Sequence, residues 1–284
     1  MLRLPASASH HTNKAHTSTM TPDAKENLVL VPSFPTNSAI LEPVVDYLKE
    51  FFNVICIDLP GFHPEQSALH PMSLRAYVRF VENRITQLDV ESFILGGLSF
   101  GYRIISQVCV DDRCKALLAI GPLLNSESLA MSARRKRFYL GVGRVVEGLR
   151  LQNIIWNSAF IRRLIVGAGH PTETLHVMFA QVNPRAFFRT ARLILEDKEK
   201  PMFQDLPHVI ILNQHDRTVR QDRVIAAFRA DVNQLLVVDT GMDHYPRTLS
   251  RAYFEEHMPE TKVRQAMQWV QEQQRRGASC ATGP

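Results

Sequence analysis

Three residues of this chain could be assembled into a chemical site: Ser99, Asp216 and His244. A serine hydroxyl is nearly inert at neutral pH. It becomes a nucleophile when a base lies within hydrogen-bond reach and a carboxylate fixes and stabilises that base. Ser99 stands in Gly97-Leu98-Ser99-Phe100-Gly101, between an apolar run of strand length and a helix-compatible run from Tyr102 to Val110. Strand, G-x-S-x-G and helix is the context that holds a serine out on a sharp, strained turn. Side chains two residues before or after the serine would collide with the neighbouring strand and helix, so glycine fits at both places. By itself the pentapeptide also marks a glycine-rich turn without chemistry. What raises it above that is the company it keeps. Asp216 and His244 each follow an apolar run of strand length, at the same kind of position as Ser99.

The elements that must position these residues can be taken from hydrophobic patterning. Short apolar strands are expected at 27–31, 53–57, 92–96, 115–121, 208–212 and 234–238. Helical periodicity lies between them: Ala39 to Phe51 with Ser38 as its cap, Ser73 to Leu88, Gln221 to Ala230 and Pro259 to Arg275. Alternation of this kind implies an α/β fold, a doubly wound and mostly parallel sheet of about six strands. Chemistry then belongs beyond the C-terminal strand ends. The exception is 122–200, which carries no convincing strand and five helix-like segments: 129–139, 142–156, 159–165, 172–181 and 185–196. It is expected to be a helical lid inserted into a core formed by 27–121 and 201–284, with 1–26 a disordered tail. The lid holds 13 lysines and arginines against 6 aspartates and glutamates, an excess of +7 against +5 for the whole chain. Arg134-Arg135-Lys136-Arg137 is its densest run. That charge suits a solvated helix face, an anionic substrate or an acidic membrane surface.

Composition excludes several classes. The net charge is far from the dense basic patches of a nucleic-acid binder. The four cysteines form no C-x-x-C and no disulfide framework, which points to a reducing, cytoplasmic compartment. The eleven histidines form no zinc motif, so neither metal nor cofactor is expected. The most apolar stretch, Ile154 to Ala168, is interrupted by Arg162 and Arg163 and is too short to span a bilayer. Residues 1–26 lack the apolar core of a secretory signal.

With Ser99, Asp216 and His244 in that order at successive strand ends, the sequence resembles the α/β-hydrolase superfamily, lidded type. Asp58-Leu59-Pro60-Gly61-Phe62 looks like that family's turn after the second strand. The resemblance covers roughly Asn27 to Arg275. It implies Ser99 as nucleophile, His244 as base and Asp216 as the orienting acid. It also implies an oxyanion hole from the Phe100 and Phe34 backbone N–H groups. The family often has His-Gly ahead of the second donor, where this chain has Pro32-Ser33, a departure that bears on the oxyanion geometry. In some members the acid follows the strand before the lid; here that place reads Gly121-Pro122-Leu123-Leu124-Asn125, without a carboxylate. Asp243 beside His244 is the competing acid, and His63, His170 and His215 are the histidines weighed against His244.

The expected function is a serine hydrolase that cleaves a carboxylic ester or thioester with an apolar acyl part through an acyl-enzyme. Phe34 and Phe100, with lid residues Leu151, Ile154, Ile155 and Trp156, would supply the apolar surroundings. The expected partner is a small-molecule substrate, anionic or lipid-like; nothing in the sequence sets the oligomeric state. The alternatives are amide, C–C bond or acyl-transfer chemistry on the same fold, a lipase resting on anionic lipid, or a ligand-binding protein without catalysis.

Overall fold

The computed structural model describes residues 25–158, 172–244 and 248–281. Its centre is a six-stranded sheet: β1 (Glu26–Val31), β2 (Phe52–Cys56), β3 (Phe93–Leu98), β4 (Cys114–Ile120), β5 (His208–Asn213) and β6 (Leu235–Thr240). The order is β2-β1-β3-β4-β5-β6, and every neighbouring pair is parallel. The strands read as continuous apolar runs because both faces are covered. Val29, Val31, Leu95, Leu117, Ala119, Ile210 and Leu212 point to one core. Leu28, Leu30, Ile94, Ala116, Leu118, Val209 and Ile211 point to the other.

The helices are α1 (Glu42–Leu48), α2 (Leu74–Thr86), α3 (Phe100–Ile105), α4 (Ala133–Gly148), α5 (Gln152–Asn157), α6 (Thr172–Gln181), α7 (Pro184–Glu196), α8 (Gln221–Asp231), α9 (Arg251–His257) and α10 (Glu260–Ala281). Four of them, α4 to α7, lie between β4 and β5, where the sequence places its inserted helices. The chain leaves β1 towards β2 on one side and later enters β3 on the other, so the order reverses between β1 and β3. In an open parallel sheet the crevice at that reversal, beyond the strand ends, is where ligands bind. Ser99 follows β3, and the Ser33–Phe34 loop follows β1.

The differences from the patterning have local causes. Ser38 does not cap a helix; its N–H and hydroxyl both donate to the Asp58 carboxylate at 2.6 Å, and α1 begins later, with Pro43 in its first turn. The helix after Ser99 stops at Ile105 rather than reaching Val110. Two helices, α4 and α5, stand where 129–139 and 142–156 were expected, but the first runs on to Gly148 with Gly141 and Gly143 inside it, and the break comes at Arg150, whose φ is +56°. The short helix α9 has no strong apolar period and is absent from the expectation. The helix expected at 159–165 lies outside the described residues.

Candidate active site

Ser99 sits at φ 48°, ψ −111°, a strained conformation for a residue with a Cβ, at the junction of β3 and α3. Its surroundings hold it there. Its N–H donates to Ile120 O at 2.9 Å, and its carbonyl accepts from Leu123 N at 3.2 Å and Tyr102 N at 3.1 Å. The two flanking glycines are required sterically. A Cβ on Gly97 would lie 2.5 Å from the Tyr102 backbone in α3, and one on Gly101 would press into the carbonyl oxygens of Val31 and Pro32 at the end of β1. The strand-to-helix turn can close only with hydrogen at both places.

The three candidate residues come together. Ser99 Oγ is 2.9 Å from His244 Nε2, and His244 Nδ1 is 2.7 Å from Asp216 Oδ2. Asp216 follows β5 and its side chain is fully buried. Burying a carboxylate is costly unless it is richly bonded, and this one is. Oδ1 accepts from the N–H groups of Thr218 and Val219 at 2.7 and 2.8 Å, and Oδ2 also accepts from Gln221 Nε2 at 3.0 Å. These contacts fix the carboxylate, and the carboxylate fixes the imidazole. An Nδ1–H donated to Asp216 leaves the Nε2 lone pair facing the serine hydroxyl.

The competing residues are placed elsewhere. Asp243 is bonded through its backbone, its N–H donating to the Tyr253 hydroxyl at 2.8 Å. His215 is exposed, and His63 Nδ1 accepts from Glu65 N in a surface turn. His170 lies outside the described residues. The free thiols of Cys56 and Cys114 are pushed up by burial to about 11 and about 12, which removes them as nucleophiles at neutral pH. Among the described residues, no group of His, Cys, Asp and Glu could hold a metal ion.

Phe100 is the first residue of α3, so its N–H is one of the donors a helix cannot satisfy within itself. Its ring does not line the cleft as expected. It is buried in the core, edge-on to Tyr77 at 5.9 Å. Phe34 is only partly buried, and its ring packs between Phe62 at 5.6 Å and Phe187 at 5.1 Å. Trp156 joins this aromatic group through Phe187 at 4.9 Å, while Ile154 points to solvent.

Several contributors lie outside the sequence-predicted set. The loop after β1 is pinned by its own polar side chains: Ser33 and Thr36 hydroxyls meet at 2.9 Å, and Thr36 N–H donates to Ser33 O at 2.8 Å. Buried Asn37 donates to Phe62 O at 2.6 Å and to Gln181 Oε1 at 2.7 Å while accepting from Ile40 N. The Ser38–Asp58 pair completes the clamp. A loop rich in Ser, Thr and Asn, residues that bond nearby backbone, was the available signal. Gly121 sits at φ +50°, where a Cβ would lie 2.7 Å from Asn213 Nδ2 and 3.6 Å from His244 Nδ1. The missing side chain makes room for the Asn213 amide; the imidazole would be at ordinary contact distance. Arg103, fully buried in α3, forms a two-pronged ion pair with Asp197 at 2.6 and 3.2 Å.

Residues 28–272 match the alpha/beta hydrolase family. The chain belongs to that family. Solved structures agree with the assignment of fold. A hydrolase from Oleispira antarctica is 15% identical, with a TM-score of 0.65 over 88% of this chain and 92% of the other. An epoxide hydrolase from Bacillus megaterium is 14% identical, with a TM-score of 0.62 over 87% and 93%. A thermophilic esterase from Thermogutta terrifontis is 19% identical, with a TM-score of 0.57 over 88% and 90%. No curated protein matches the sequence. This member of the family has hydrolases among its structural neighbours, and at these identities the likeness is one of fold.

Proposed function

We propose that this α/β hydrolase is a serine hydrolase acting by acyl transfer on a carboxylic ester or thioester. The observation that carries this is the continuous Ser99–His244–Asp216 hydrogen-bond chain at the sheet's reversal point. Ser99 Oγ attacks the carbonyl carbon as His244 Nε2 takes its proton. Asp216 holds the imidazole and stabilises the imidazolium. The Phe100 and Phe34 N–H groups receive the oxyanion. Collapse expels the alcohol or thiol, protonated by His244, and leaves the acyl group on Ser99. Water, deprotonated by His244, then releases the acid.

The nucleophile type favours acyl chemistry over epoxide opening, which the name of one structural neighbour raises. A serine that opened an epoxide would be left as an ether, which the same machinery does not hydrolyse. The acyl-enzyme is an ester and turns over. The aromatic group of Phe34, Phe62, Phe187 and Trp156 suits an apolar acyl part. Helices α4 to α7 act as the lid, with Phe187 of α7 against Phe34 and Asn37 bonded to Gln181 of α6.

A fluorophosphonate, read by intact mass, tests the reading. One adduct on the wild-type protein, absent in Ser99→Ala and His244→Ala, is the expected result. An unlabelled wild-type protein would sink it and bring forward a ligand-binding role without catalysis.

A further inference from the structure

Helix α4 is turned inside out. Phe138, Val142, Val145 and Leu149 recur at intervals of four, three and four, which is one helix face. An apolar face normally meets the core. This one meets solvent, with exposures of 65%, 42%, 57% and 65%. Only Val146 of the helix is buried. The side that meets α7 is the charged one: Arg144 pairs with Glu196 at 3.2 Å and Glu147 with Arg192 at 3.0 Å.

The charge at the start of α4 says what would cover its outer face. Arg134, Arg135 and Arg137 are exposed, and among the described residues none of them makes an ion pair. Lys136, between them, turns inward to Ser126 Oγ at 2.5 Å. The only carboxylate in the helix, Glu147, is committed to Arg192. A second copy of the chain would bring the same cations and no counter-charge to an isologous contact. A lipid surface bearing phosphates would bring both an apolar layer and negative charge.

We propose that the outer face of α4 docks in the plane of an anionic lipid bilayer, with Phe138, Val142, Val145 and Leu149 among the acyl chains and the three arginines on headgroup phosphates. This contact is independent of the hydrolase chemistry and is read without turnover.

The test is flotation of the full-length protein with phosphatidylcholine vesicles, with and without phosphatidylglycerol. Binding is expected only when phosphatidylglycerol is present, and it should weaken as NaCl is raised. Phe138→Ser and Leu149→Ser should each weaken it about tenfold. Replacing Arg134, Arg135 and Arg137 with Gln should weaken it about fivefold per cation. These side chains are exposed, so the unfolding midpoint should not move, which separates lost binding from lost fold. Absent flotation, equal flotation on phosphatidylcholine alone, or indifference to Phe138→Ser and Leu149→Ser would each overturn the proposal. So would a lipid-free dimer that Phe138→Ser dissociates, because the face would then be a contact between two copies.

Discussion

Replacing Asp197 by Ala should destabilise the protein far more than an ordinary ion-pair deletion. Its partner Arg103 has no exposed surface and lies in α3, the helix that begins directly after Ser99. The Asp197 carboxylate takes Nε at 2.6 Å and Nη2 at 3.2 Å, and Gln107, with its amide oxygen towards Arg103, accepts from Nη1 at 2.9 Å. Removing the carboxylate leaves the buried guanidinium with neutral acceptors and the mostly exposed Glu199 carboxylate, 3.7 Å from Nη2, a loss of about 3–5 kcal/mol, whereas an exposed pair is worth about 0–1 kcal/mol. At about 2–4 °C per kcal/mol for a domain of this size, the unfolding midpoint should drop by about 6–20 °C. The double variant Arg103→Met, Asp197→Ala removes the stranded charge and should recover most of that loss. The pair also joins α3 to the segment leaving α7, and Asp197 O accepts from Ser126 N at 2.8 Å near the other end of the same insertion. Fluorophosphonate labelling of Ser99 should therefore slow in Asp197→Ala and recover in the double variant. Urea midpoints for wild type, both single variants and the double variant decide the matter. A cost below about 1 kcal/mol for Asp197→Ala, or a double variant no better than the worse single variant, would show that the pair behaves as a solvated one and that the argument from burial is wrong.

Other consequences can be checked on the same protein. Asp216→Asn should lower kcat about 10⁴-fold while leaving the fold intact, measured with a p-nitrophenyl ester, because the amide would favour the wrong imidazole tautomer. Gly101→Ala drives a methyl group into the Val31 and Pro32 carbonyls, so it should cost about 1–3 kcal/mol and reduce labelling of Ser99 in the surviving folded fraction. His208, at the start of β5, donates from Nδ1 to Leu206 O at 2.7 Å, and its Nε2 is buried without a partner. Burial holds its pKa below the usual histidine value. Below about pH 6.5 the unfolded chain binds a proton that the folded one refuses, so stability should fall as pH drops from there to the folded value, by at most about 1.4 kcal/mol per pH unit. Urea midpoints across that range should show a smaller acid loss in His208→Gln; an identical loss would mean that other groups carry it.

Much of this was legible because the sheet is buried on both faces. Six continuous apolar runs become six parallel strands, and G-x-S-x-G lies on the turn that its steric logic demands, with Gly97 and Gly101 each against backbone. Parallel strands carry their C-terminal ends to one edge, which is why order along the chain was enough to bring Ser99, Asp216 and His244 together across 145 residues. What stayed hidden depends on partners remote in sequence. Asn37 bonds Gln181, Ser38 bonds Asp58, and Arg103 bonds Asp197, pairs that no local period contains. Arg103 did leave a trace, since a cation in the otherwise apolar run Phe100 to Ile105 must be satisfied or excluded from the core. The loop after β1 makes the same point from the other side. Lacking the histidine its relatives often have there, it looks weakened in sequence, yet Ser33, Thr36 and Asn37 anchor it through bonds of their own. A departure from a family pattern at one residue shows only that the usual support is gone. Whether the loop is held depends on what its other polar side chains reach, and here they reach Phe62, Gln181 and Asp58, residues of three other segments of the chain.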